Sequence, residues 1–203
     1  MSLLLSLPLF LYWLFVPTLL SAVMPPAGRL GRDGTAVLLA LVSWALLLLW
    51  LPVHIWPPRP LAPPVQSAVL IGLALLYAGV FIAGLMPSAQ TPEDEDPKDH
   101  LLTLAVLSPL SEELLFRGFL MALALPVLGG YGAAAFTALL FLSAHEIGRI
   151  GGARRSRRES LADLSFGLFA GVLYLATGTI LAPLALHVLV NAIYAAGASR
   201  RSS

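Results

Sequence analysis

Apolar residues run along this chain in long blocks rather than in alternation. Seven blocks are long enough, or nearly so, to cross a bilayer: residues 3–24, 35–53, 65–86, 101–125, 127–144, 161–176 and 180–196. About 20 helical residues span a hydrocarbon core, and in lipid the backbone must satisfy its own polar groups. The pattern therefore predicts an all-α, polytopic membrane bundle of about seven transmembrane helices (six to eight), forming one membrane-embedded domain over residues 1–203. The fourth block is interrupted by Ser108-Pro109, and the last two are short and flank a four-residue connection at 177–180. Between blocks lie turn residues: Pro25-Pro26 with Gly28, Gly31 and Gly34, then Pro57-Pro58, Pro60 and Pro63-Pro64, and a tight turn at Gly129-Gly130. Residues 91–100, TPEDEDPKDH, read as a solvated loop. The first block lacks the basic leader of a secretory signal and is too long for one, so it reads as a retained membrane helix.

Composition agrees with the pattern. Hydrophobic residues make up 58% of the chain and charged residues only 11%, against about 25% in a soluble domain. The formal net charge of +1, with no basic soluble domain, points to no nucleic-acid partner. Cysteine is absent, which excludes disulfides and thiolate metal sites. The charge that matters more is local. Residues 148–160 carry five arginines, and the positive-inside rule places them in the cytoplasm. Counting helices outward puts Arg29, Arg32, Lys98, Arg200 and Arg201 on the same side, leaves Arg59 outside and leaves Arg117 within the membrane. Seven spans with an external N-terminus and a cytoplasmic C-terminus follow. The alanine, leucine, arginine and proline bias suits a GC-rich bacterial genome, hence a multi-pass protein of the bacterial inner membrane.

Against that background, Glu112, Glu113 and Arg117 stand out in the stretch SPLSEELLFRGFL at 108–120. A charge near mid-membrane costs from about 2.5 kcal/mol upward. On a helix, Glu113 and Arg117 are one turn apart with the acid first, the favourable order for an ion pair. Glu112 is turned by about 100° from Glu113 and is left for another partner. Pro109 and Ser111 suit a helix start, which would put both glutamates in a first turn, at the positive end of the dipole. Two further polar pairs lie in apolar blocks at helical spacing: Phe141 with His145, and His187 with Asn191. Read alone, His145 at a membrane boundary is a structural residue, and His187 with Asn191 is hydrogen-bonding glue between helices. Together with Glu112 they make a catalytic set: Glu112 and His145 to hold and deprotonate a water, His187 and Asn191 to donate to an oxyanion. No serine, threonine or cysteine is obviously paired with a base, which disfavours a covalent nucleophile. The helix count places Glu112 near mid-membrane and His145 nearer the cytoplasm, favouring access from that side.

These residues carry a family resemblance. EELLFR at 112–117, FLSAH at 141–145 and HVLVN at 187–191 resemble, in order, the Glu-Glu-x-x-x-Arg, Phe-x-x-x-His and His-x-x-x-Asn motifs of the CAAX protease and bacteriocin-processing (CPBP, or Abi) family of intramembrane proteases. The resemblance covers residues 101–196; the three helices within 1–100 carry no motif. It implies an intramembrane endopeptidase with a catalytic cavity inside the helix bundle. It also implies that Glu112 and His145 activate water, that His187 and Asn191 form the oxyanion site, and that Glu113, Arg117 and Phe141 support them. A metal-free, glutamic-type site needs no cofactor. The alternative is zinc held by Glu112, His145 and His187, although the histidines lack the familiar His-Glu-x-x-His spacing. The implied partners are the lipid bilayer and a protein or peptide substrate with a membrane-proximal or C-terminal signal, of CAAX, sorting-signal or bacteriocin type. Two other functions compete. A non-catalytic membrane scaffold or immunity protein could keep the fold, and a proton-coupled transporter could use the buried Glu and His residues as a relay. Seven short helices without a repeat do not resemble the paired halves of common transporters.

Overall fold

The computed structural model describes residues 6–23, 37, 38, 40–42, 45, 72, 103–147 and 157–199. The second and third expected helices and the acidic loop lie outside the described residues, apart from isolated positions in the two helices; of the expected arginine-rich loop only residues 157–160 are described, and they are helical, forming the first turn of the helix that follows. Among the described residues every element is helical. Helix α1 is Ser6–Val23. A continuous helical run then passes through a π-helical turn, π1 (Thr103–Leu107), α2 (Ser108–Glu113), a second π segment, π2 (Leu114–Leu120), and α3 (Met121–Ile147). Helices α4 (Arg157–Thr177) and α5 (Leu181–Ser199) follow. The runs 105–147 and 157–177 are long and apolar enough to cross a membrane, and 6–16 and 181–192 are shorter apolar helices.

A straight helix from 105 to 147 would be about 64 Å long, twice the thickness of a hydrocarbon core of about 30 Å. It does not run straight. Gly129 leaves the helical region at φ 68° and ψ 176°, a conformation that glycine adopts without a Cβ penalty. Pro126 lies just before it. The chain reverses there, because the rings of Phe116 and Phe141 sit 5.1 Å apart although 25 residues of helix separate them. The fourth and fifth apolar blocks are thus the two arms of a hairpin turning at Gly129.

The expected helix start at Pro109–Ser111 is not a start. The backbone is already helical from Thr103, Leu107 is helical, and no side chain caps the entry to α2. Pro109 cannot donate to the carbonyl four residues back, and the wide π1 turn just before it is where the hydrogen-bond register shifts. Glu112 and Glu113 therefore lie in mid-helix, so the dipole argument for them lapses. The Ser111 hydroxyl has another use: it accepts the Trp13 indole N–H at 2.9 Å. Phe10 and Trp13 also meet Phe116 edge-on, at 6.4 and 5.8 Å between centroids, which docks α1 on the charged segment.

Helices α3 and α4 pack closely through small residues. Gly167 and Gly171, one turn apart on α4, face Ala138 and Ala134 on α3, where an added Cβ would lie 3.0 and 3.2 Å from the respective alanine Cα atoms. Without a hydrophobic driving force between helices in lipid, such close backbone approach is what holds them. Gly167→Val would push the helices apart and should cost about 1–3 kcal/mol as overpacking. A thermal unfolding scan in detergent reads this as a lowered midpoint; an unchanged midpoint would show that the contact can relax freely.

The connection between α4 and α5 is short and half-buried. Gly178, at φ 67°, ends α4 with its N–H on the Tyr174 carbonyl at 2.9 Å. Ile180 is buried, and its Cδ1 lies 3.8 Å from where a Cβ on Gly118 would sit. Gly118 is 11 residues from Gly129, so this turn lies about 16 Å deeper than the hairpin turn. Irregular backbone at such depth is tolerated where protein surrounds it.

Candidate active site

The two arms of the hairpin and α5 bring the polar residues together. Glu112 lies 17 residues before Gly129 and His145 lies 16 after it, so nearly equal arms bring them side by side. His145 Nε2 is 4.0 Å from Glu112 Oε2. Helix α5 adds His187, whose Nε2 is 3.8 Å from the same oxygen. Asn191, one turn further along α5, is half-buried.

Glu113 and Arg117 are paired with each other. Glu113 Oε1 accepts from Arg117 Nη1 at 2.8 Å, the pair expected from their spacing. The same oxygen is 2.8 Å from His187 Nδ1, a contact across 74 residues that no local pattern announces. Arg117 Nη2 donates to the Gly167 carbonyl at 3.0 Å. Its guanidinium carbon lies 6.0, 5.4 and 5.9 Å from the ring centroids of Phe116, Phe141 and Phe166. Buried, and walled by three aromatic faces, the cation gains from their quadrupoles as well as from Glu113. Glu113 and Arg117 are 0% and 1% exposed, so neither charge borrows stabilisation from solvent.

Glu112 is held differently. Ser108 Oγ donates to Oε1 at 2.5 Å. Oε2 is buried and has no hydrogen-bond partner among the described residues, and it is the oxygen that faces both histidines. The ring orientations follow from the other nitrogens. His145 Nδ1 is 2.9 Å from the Phe141 carbonyl, which only accepts, so that contact assigns a proton to Nδ1 and turns Nε2 toward Glu112. The Phe141 ring lies 4.4 Å from the His145 ring and 6.0 Å from that of His187, and the Phe166 ring lies 4.6 Å from that of His187. Phe141 thus packs against both histidines and against Arg117. His145 is the most open member, with 29% of its side chain exposed, against 6% for His187.

Sequence reasoning grouped Glu112, His145, His187 and Asn191, with Glu113 and Arg117 in support; distances link Glu112, His145, His187, Glu113 and Arg117 here, and Asn191 lies one turn along α5 from His187. The same reasoning missed Ser108, Phe166 and the Gly167 carbonyl. Ser108 had a readable signal, being one helical turn before Glu112. Phe166 and Gly167 had none, because their place depends on how α4 packs.

Residues 99–193 match a family model described as type II CAAX prenyl endopeptidase Rce1-like. Neither the curated proteins nor the solved structures give a match. The matched segment contains all three motifs and every side chain of the cluster around Glu112, and this segment belongs to the CAAX protease and bacteriocin-processing family of membrane-embedded proteases.

Proposed function

We propose that this chain is a glutamic-type intramembrane endopeptidase whose nucleophile is a water held by Glu112 and His145. The observation that carries this reading is Glu112 Oε2, buried, without a hydrogen-bond partner among the described residues and 4.0 Å from His145 Nε2. That gap is too long for a direct hydrogen bond and suits one bridging atom. A water about 2.8 Å from each would bridge them at an angle of about 90°. Glu112 takes its proton as the water oxygen attacks the substrate carbonyl carbon. The oxyanion that forms receives N–H donors from His187 and Asn191. The carbon–nitrogen bond then breaks, and Glu112 returns the proton to the leaving nitrogen. For this role His187 carries protons on both ring nitrogens, Nδ1–H given to Glu113 and Nε2–H given to the oxyanion.

Zinc held by Glu112, His145 and His187 is the second reading. The donor chemistry suits it, since both histidines commit Nδ1 elsewhere and turn Nε2 toward Glu112, the usual arrangement of metal-binding histidines. The spacing does not fit. Neighbouring donors around tetrahedral zinc lie about 3.3 Å apart, whereas the carboxylate-to-imidazole gaps are 4.0 and 3.8 Å. The two readings require opposite protonation of His187 Nε2. Cleavage that persists in a millimolar zinc chelator supports the glutamic site; loss with chelator and recovery on adding zinc overturns it.

The substrate in this proposal is the C-terminal or membrane-anchored part of a protein or peptide, of CAAX, sorting-signal or bacteriocin type, met in the inner membrane of a bacterium. The C-terminus is cytoplasmic, with residues 1–203 acting as one domain. Matched prenylated and unprenylated tail peptides, presented to the purified enzyme, read whether the lipid is recognised.

A further inference from the structure

Hydroxyl groups in the apolar helices of this protein mostly turn back on their own backbone. Thr137 donates to the Ala133 carbonyl at 3.0 Å, Ser143 to Leu139 at 2.8 Å, Ser165 to Ala162 at 3.0 Å and Thr177 to Leu173 at 2.7 Å. This is the ordinary way a helix satisfies a serine or threonine where water is scarce. Ser108 departs from it. Its hydroxyl proton goes forward to Glu112 Oε1 at 2.5 Å, a short charge-assisted contact.

The position of Ser108 favours that choice. It is the first residue of α2, directly after the wide π1 turn and directly before Pro109. One turn separates it from Glu112, so hydroxyl and carboxylate stack on one helix face. The consequence falls on the other carboxylate oxygen. With Oε1 tied to Ser108, the side chain is fixed about its last torsion, and Oε2 is the oxygen turned to His145 and His187. A carboxylate free to rotate would spread both oxygens over the site and over the nearby Glu113–His187 contact.

We propose that Ser108 is a positioning residue for the hydrolytic reaction, anchoring Glu112 Oε1 so that Oε2 alone serves the bridging water; this rests on the assignment of Glu112 as the base. Supporting partners of this kind are worth about 10- to 100-fold in activity where they orient a reacting group.

The test uses the full-length protein in detergent with a farnesylated CAAX-tail peptide and the variants Ser108→Ala, Ser108→Thr, Ser108→Val and Glu112→Gln. Ser108→Ala and Ser108→Val should lower kcat about 10- to 100-fold with KM within about twofold. Ser108→Thr, which keeps the hydroxyl and matches valine in shape, should recover most of kcat. All three should unfold at the wild-type temperature. A readout independent of turnover is the Glu112 carboxylate stretch, isolated as the infrared difference between wild type and Glu112→Gln: it should shift in Ser108→Ala and not in Ser108→Thr. Wild-type kcat in Ser108→Ala, threonine no better than valine, or an unshifted carboxylate band overturns the anchoring role while leaving Glu112 as base. Full activity in Glu112→Gln would remove the base assignment itself, and the proposal with it.

Discussion

Glu112→Gln is expected to lower kcat by about 10²–10⁴-fold, the usual contribution of a positioned general base, while leaving the protein folded. Glutamine has the same shape and keeps an oxygen to accept the Ser108 hydroxyl, so the cavity loses only its proton acceptor. The stability cost should be small, because among the described residues the basic nitrogens paired with Glu112 are those of His187 and His145 at 3.8 and 4.0 Å, beyond hydrogen-bonding distance. His145→Ala should be similarly inactive and similarly folded, since His145 lies at the open side of the cluster. Single-turnover cleavage, read beside a thermal scan of each variant, separates chemistry from folding. A folded, fully active Glu112→Gln protein would place the base elsewhere. An unfolded one would mean that Glu112 holds the bundle together, a role assigned to its neighbour.

What the sequence made legible was local. The one-turn spacings of Glu113 with Arg117 and of Phe141 with His145 read directly as shared faces, because helix geometry alone relates them. Gly129 was readable as a turn, since a reversal needs a positive φ there. The contacts that convert three motifs into one cluster were not readable. Glu113 meets His187 across 74 residues, and Arg117 reaches a carbonyl on α4. Both depend on how helices face each other, and in apolar blocks the hydrophobic pattern says little about facing, because lipid and protein interior are equally apolar. The same limit hid the depth of the α4–α5 turn, which brings His187 down to the level of Glu113. The helix-start reading at Pro109 and Ser111 failed for a different reason. Those residue types do favour starts, but here the helix absorbs the missing proline donor in a π turn and continues, while Ser111 serves as the acceptor for Trp13. Residues 1–100 carry no motif, yet Trp13 touches the segment that holds the glutamates, so α1 belongs to the same packed unit as the matched region.

Arg117→Met should be the most destabilising of the substitutions considered. It removes the guanidinium from a carboxylate that is completely buried, leaves the Gly167 carbonyl without its side-chain donor and strips three aromatic rings of the charge they surround. Breaking a buried pair by deleting one partner costs about 3–5 kcal/mol, enough to consume much of the stability of an ordinary domain. Deleting both partners should cost less, since a pair of apolar side chains leaves no uncompensated charge. Glu113→Leu with Arg117→Met is therefore expected to recover a large part of the thermal midpoint lost in Arg117→Met alone. It should not recover activity, because His187 Nδ1 then lacks the acceptor that orients its ring, and Nε2 is no longer held toward the reaction centre. Unfolding midpoints and kcat measured on the two variants would thus move in different directions. If the double variant were as unstable as the single one, the guanidinium would be holding the bundle through Gly167 and the aromatic rings rather than through Glu113. If the double variant regained full activity, Glu113 would have no part in orienting His187, and the charged pair would serve the fold alone.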